Sequence, residues 1–384
     1  MSDISVGANY VPRRGWFHSW LDFDVDQVRE DLDDLVELGL DHIRIFPLWE
    51  LVQPNPGLIR ESALMDVRTL ACEASERGLG VSVDVLQGHL SSFDFLPAWT
   101  RTWHASNIFT DPEVIEAESR LMTAFAQCLS DVPGATGLSV GNEIVQFAAH
   151  RHPEAAPLTT AQAASWLTAM FEAMRSQWPH GRHTFSYDDD VFFDPTHPFT
   201  PDLIAMGDLV TVHSWVFGTV GRHHGKDHPR LALFARYLLE VAHAWAPGKP
   251  LWLQEIGAPL TYVSQDEVPD FVRKTLSHAS CVPQNRMVTW WCSANVSPSL
   301  TRFPEVEYGL GLFDADGHLT PAGRALRDWV KHPEVAPAAS GANALAIPAP
   351  TDPGARRAVS PDGALFDSWA TAIETGTPLT LEVQ

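Results

Sequence analysis

Eight short apolar or β-branched runs, spaced by amphipathic stretches, constrain this chain more than any other feature. They are Ser5–Tyr10, His42–Leu48, Gly80–Leu86, Ala135–Gly141, His183–Tyr187, Leu209–His213, Pro250–Glu255 and Met287–Cys292. After the first run, Val25, Val28, Leu32, Leu35 and Leu38 recur every three to four residues, which places one apolar face on a helix over Val25–Leu38. Gly39 and Gly78 close the first two helices, and Asp111-Pro112 opens the third. Strands apolar enough to be buried on both faces belong to a parallel sheet. Eight of them alternating with helices predict an α/β fold, a closed (β/α)8 TIM barrel in preference to an open doubly wound sheet.

A barrel with insertions fills a chain of this length, 384 residues, as one domain over residues 1–332. The remainder, 333–384, reads as a C-terminal extension. It begins Pro-, Ala- and Gly-rich, with a short helix expected over Ala364–Ile373 and an extended segment over Pro378–Val383, both packed back on the barrel.

With 26 basic against 48 acidic residues the net charge is −22, which repels nucleic acid and anionic membrane surfaces and suits a neutral partner. Cys72, Cys128, Cys281 and Cys292 are far apart and show no metal or redox spacing. No apolar stretch approaches the roughly 20 residues of a membrane span, and Met1–Val6 lacks the pattern of a signal peptide. A cytoplasmic location is expected. The histidines of Gly221–His228 lack the strand-end pairs and orienting carboxylates of a barrel metal centre, and no Gly-rich phosphate loop occurs. Neither a metal nor a cofactor is expected.

Two of the runs end in carboxylates: Leu138-Ser139-Val140-Gly141-Asn142-Glu143 and Leu251-Trp252-Leu253-Gln254-Glu255. In one barrel both would enter the same mouth, at the C-terminal ends of the strands where barrel sites form. Paired carboxyls are what glycoside hydrolysis requires, one to protonate the leaving oxygen and one to attack the anomeric carbon. Asn142 adds an amide beside the acid, placed to bind a sugar hydroxyl as positive charge develops. Tyr187, Trp215 and Trp291 belong to a set of aromatics following the runs, suited to the apolar faces of sugars.

With the glutamates on the fourth and seventh runs, the chain resembles the retaining (β/α)8 glycosidase clan, and within it glycoside hydrolase family 5, over about residues 5 to 330. The resemblance implies that Glu143 is the acid/base and Glu255 the nucleophile. It matches Arg44 to a strand-two arginine that holds the nucleophile ionised, and His89 to a sugar-binding histidine at the third run. His213 matches a residue of the sixth run near the nucleophile, while Trp215 stands where the family often has tyrosine. Trp291, or its neighbour Trp290, matches the tryptophan under the cleaved sugar; strand alternation allows only one to face the lumen, and we expect Trp291.

Long segments follow the first, third and sixth runs (16–23, 88–108 and 214–230) and are expected to wall the cleft into a pocket, together with Arg13–His18 and Tyr187–Asp190. A pocket accepts chain ends. The segments around 12–24 and 84–97 are similar to a bacterial family 5 subgroup with exo-acting β-mannosidases, which implies an oligosaccharide substrate, short β-1,4-linked manno-oligosaccharides or Man-β-1,4-GlcNAc. The alternatives are an endo-acting β-1,4-mannanase or β-glucanase, and a sugar-binding barrel without catalysis.

Overall fold

The computed structural model describes residues 4–338, 343–377 and 379–384. Met1–Asp3, part of the Pro/Ala-rich segment and the first residue of the expected extended segment, Pro378, lie outside the described residues. Seven strands form one parallel sheet: β1 (Ser5–Asn9), β2 (His42–Ile45), β3 (Gly80–Asp84), β4 (Ala135–Ser139), β5 (Val210–Ser214), β6 (Leu251–Ile256) and β7 (Asn285–Trp290). Their spatial order is β4-β3-β2-β1-β7-β6-β5. The fifth run closes the ring between β4 and β5, so the architecture is the (β/α)8 barrel.

That fifth run forms no continuous ladder, contrary to expectation. It meets β4 through one bridge, Ser139 with Thr184, flanked by backbone bonds from Arg182 to Thr136, from Thr184 to Leu138 and from Val140 to Thr184, while side chains take up other groups nearby. The His183 ring accepts from the Leu138 N–H at 3.2 Å, Asp208 accepts from the His183 N–H at 2.8 Å, and the Thr211 hydroxyl donates to the Phe185 carbonyl. Most other runs also outlast their strands, because the apolar sequence continues into loops buried at the mouth.

Seven long helices coat the sheet: α1 (Val25–Glu37), α2 (Glu61–Glu76), α3 (Pro112–Leu129), α4 (Thr160–Gln177), α5 (Phe234–Trp245), α6 (Val268–Ser280) and α7 (Pro321–Lys331). Asp24 caps α1 by accepting from the Asp26 and Gln27 N–H groups, and Thr159 with Gln162 closes a reciprocal capping box on α4. Between the fifth run and β5 only short turns occur, Asp190–Phe193 and Pro201–Met206. The coat is therefore thin there.

The C-terminal extension covers this gap. The Arg356 guanidinium donates to the carbonyls of Asp194, His197 and Phe199 in the connection after the fifth run. In the last helix, α8 (Ala364–Glu374), Phe366 and Trp369 are buried in the main core against Tyr237 of α5, and the Trp369 N–H donates to Glu240 at 2.8 Å. Ala344–Ile347 and Thr380–Val383 pair as a small parallel ribbon. Among the described residues no helix is long and apolar enough to cross a membrane.

Candidate active site

At the C-terminal mouth of the barrel lies a cavity of about 530 Å³, lined by Asn142, Glu143, Trp215, Glu255 and Trp291 from the strand ends and by His89–Ser92, Asp94, Gln146, Arg151–Pro153, Asp188–Asp190, Phe217–Thr219, Arg222 and Glu307 from the loops. Two local features aim its carboxylates. Glu143 has left-handed backbone (φ 41°, ψ 28°), which a residue with a Cβ adopts at some cost and which tertiary structure must hold. Gly141 just before it permits the approach of β4 to the third run, since a Cβ there would lie 2.4 Å from the Leu86 carbonyl oxygen. On β6 the pairing skips between Leu253 and Ile256. This bulge lets Gln254 and Glu255 both reach inward, where strict alternation would send one outward.

A carboxylate oxygen of Glu143, one of Glu255 and a ring nitrogen of His213 lie within 4.8 Å of one another. That spacing fits direct attack by one carboxyl and is too close for a water held between the two, as inversion requires. Arg44 is fully buried beneath them and donates six hydrogen bonds: to Asp84 at 2.6 and 3.1 Å, Glu255 at 2.7 Å, Asn142 at 2.5 Å, Asn9 at 3.0 Å and Ser186 at 3.1 Å. The Trp215 indole N–H donates to the other oxygen of Glu255 at 3.1 Å. Glu255 therefore has a cation on one oxygen and a neutral donor on the other, both of which favour its ionised form.

Glu143 has no such support. Burial pushes it up to about 8, helped by the nearby Asp188 charge, while His89, Arg44 and Arg151 pull the other way. Burial also raises Glu255, to about 7, with a further push from Glu143 and against the pull of Arg44. The Arg44 and Trp215 donors on Glu255, which Glu143 lacks, put the shared proton on Glu143. His213, whose pKa burial lowers, stands neutral with Nδ1 2.6 Å from Glu143 Oε1 and Nε2 3.1 Å from Gln254 Oε1. If Nε2–H donates to the Gln254 oxygen, Nδ1 is an acceptor and the 2.6 Å contact carries the Glu143 proton.

Solved structures decide the family. The chain is 42% identical to a glutamate-to-alanine GH5_18 variant from Streptomyces cattleya in complex with Manβ1-4GlcNAc, covering 99% of this chain and 94% of that one at a TM-score of 0.95. The chain belongs to GH5_18. It is thus a glycoside hydrolase of family 5. A GH5_18 variant from Bifidobacterium longum subsp. longum, also in complex with Manβ1-4GlcNAc, shares 38% identity over 99% of this chain and 91% of that one at a TM-score of 0.94. An exo-β-1,4-mannosidase from an Opitutaceae bacterium shares the fold, at 21% identity over 99% of this chain and 69% of that one with a TM-score of 0.79. No family model and no curated protein matches the chain.

The structure gathers Arg44, Asn142, Glu143, His213, Trp215, Glu255 and Trp291 into one constellation. Trp290 lies in the core with its N–H on the Leu310 carbonyl, whereas Trp291 lines the cavity. His89 lies on the wall, within a small hairpin and 3.0 Å from Asp94, and its carbonyl accepts from Asn142. Tyr187 is not in the cavity: it is buried behind the fifth run with its hydroxyl on the Leu203 carbonyl at 2.9 Å, because Ser186 is the residue of that run that turns inward to Arg44. Arg13 also turns away, to Asp31 and Asp34, and segment 16–23 lines a separate groove.

Sequence reasoning passed over Asn9, Asp84, Ser186 and Gln254, which anchor Arg44 and His213. Asp84 carried a readable signal, a charge closing the apolar third run just as the glutamates close theirs. Arg151, bonded to Asp188 and Asp190 on the far wall, carried none.

Proposed function

We propose that the chain is a retaining exo-β-mannosidase that removes a terminal β-mannosyl unit from short β-1,4-linked oligosaccharides, with Man-β-1,4-GlcNAc as substrate. Glu255 attacks the anomeric carbon while Glu143 protonates the departing oxygen. Glu143 then deprotonates a water that releases mannose with its configuration retained. The observation that carries the reading is the approach of Glu143 and Glu255 within 4.8 Å, with the Arg44 guanidinium and the Trp215 N–H bonded to Glu255 and not to Glu143. Arg44 and Trp215 hold the nucleophile charged. Asn142, itself held by Arg44, is placed beside the acid to bind the hydroxyl next to the reacting carbon.

The sugar preference is supported by the GH5_18 structures in complex with Manβ1-4GlcNAc. The cavity is walled by loops after the third, fourth, fifth, sixth and eighth runs, which supports cleavage at a chain end. We place the enzyme in the cytoplasm: all four cysteines are free thiols, as a reducing compartment keeps them. Initial rates on Man-β-1,4-GlcNAc and on a panel of p-nitrophenyl β-glycosides test the assignment. Mannoside turnover at least tenfold above glucoside and galactoside is expected, and preference for another sugar would defeat it.

A further inference from the structure

Besides Asp188, which Arg151 holds, the cavity has a second buried carboxyl that this chemistry leaves unused. Glu307 lies in the turn Glu305–Glu307 between β7 and α7, is 7% exposed and lines the cavity. The Ser91 hydroxyl donates to it at 3.0 Å. Ser91 and Ser92 form the tip of the hairpin between His89–Leu90 and Phe93–Asp94, and both have left-handed backbone, at φ 51° and 66°. Two consecutive non-glycine residues in that region need tertiary contacts to hold them, and the Ser91–Glu307 bond is one such contact.

The bond joins the segment after β3 to the segment after β7, so it crosses the mouth above β2 and β1. Glu143, after β4, must meet the glycosidic oxygen, and the leaving group extends to that side. The sugar being released then directs its remaining hydroxyls away from Glu143, toward Trp291 and Glu307. The Trp291 indole N–H is buried there beside the Glu307 carboxyl and meets no partner at hydrogen-bonding geometry among the described residues. A carboxyl acceptor and a free indole donor side by side form a surface made for hydroxyl groups, each of which donates and accepts.

We propose that Glu307, positioned by Ser91, is a specificity-determining residue that binds hydroxyls at the non-reducing end of the terminal sugar and blocks the place of any sugar beyond it. The assignment rests on the exo-mannosidase reading and supplies its structural cause. Burial pushes this carboxyl up to about 7, against the stabilising hydrogen bond from Ser91; bound hydroxyls would stabilise its charge further.

The test is kinetics of wild type, Glu307→Gln, Glu307→Ala and Ser91→Ala on p-nitrophenyl β-mannoside and its 3-, 4- and 6-deoxy forms, with end-labelled mannotetraose as a second substrate. In wild type, loss of at least one of these hydroxyls should lower kcat/KM more than tenfold, and in Glu307→Ala the same loss should cost less than threefold. Glu307→Ala should also yield oligosaccharide fragments from the tetraose where wild type yields only mannose. Deoxy penalties unchanged in both Glu307 variants would overturn the assignment while leaving the exo reading intact. Absence of wild-type mannosidase activity would defeat both. A merely structural glutamate would change stability without altering which hydroxyl matters.

Discussion

Replacing Arg44 by lysine keeps the positive charge beneath the two glutamates and removes the planar fork, so it isolates what the geometry contributes. The guanidinium makes six hydrogen bonds to five residues, two of them carboxylates. An ammonium has three donors and one centre, so at least half of these contacts are lost. Asp84 takes two bonds and lies on the opposite side of the fork from Glu255, so a lysine that stays with Asp84 leaves Glu255 without its 2.7 Å cation. A hydrogen bond to a charged group contributes about 1.5 to 3 kcal/mol, which at 1.4 kcal/mol per decade is a fall of roughly 10- to 150-fold in kcat/KM. The acid limb of the pH profile should also move to higher pH, because the lost cation favoured ionised Glu255. The assay is kcat/KM on p-nitrophenyl β-mannoside from pH 4 to 9, with thermal unfolding to confirm that the variant is folded. Activity within threefold of wild type and an unmoved acid limb would refute this role for Arg44.

The pair should give a bell-shaped pH profile, rising as Glu255 ionises and falling as Glu143 loses its proton near pH 8, with the two limbs belonging to the coupled pair; Glu143→Gln should remove the basic limb for an aryl mannoside whose leaving group needs no acid. Glu118, buried in α3 under the Trp166 N–H, has a pKa raised well above its usual value by burial. Its contribution is therefore full below the unfolded-state value and lost as pH rises, so the stability of Glu118→Gln relative to wild type should increase between pH 4 and 8, and denaturant titrations at the two pH values should show that widening. Trp369→Ala should cost about 3 to 5 kcal/mol in the same titrations by emptying the contact between the extension and α5, with KM unchanged.

The legible parts of the sequence were those with a period or a terminus. Apolar runs and helix stripes give the barrel, and charges at strand ends give Glu143 and Glu255, since a charge closing a buried strand must face the lumen or a partner; Arg44, inside the second run, comes from the family resemblance alone. The fifth run misleads because apolar content reports burial and not ladder geometry: its backbone bonds β4, but toward β5 the Thr211 hydroxyl takes the Phe185 carbonyl in place of a ladder bond. Tyr187 misled because alternation was not counted through to Ser186. Glu307 and Ser91 could not be read, since neither lies at a strand end and their meeting depends on two loops 216 residues apart in sequence closing over the mouth.

The central claim is that Glu255 attacks and Glu143 protonates. Glu255→Ala and Glu143→Ala, each assayed with p-nitrophenyl β-mannoside and azide, test it directly, with product configuration read by NMR. The account predicts α-mannosyl azide from Glu255→Ala, because azide enters the face the nucleophile vacated, and β-mannosyl azide from Glu143→Ala, because the glycosyl-enzyme still forms and azide then displaces Glu255. The opposite pairing of products, or wild-type turnover in either variant without azide, would contradict it.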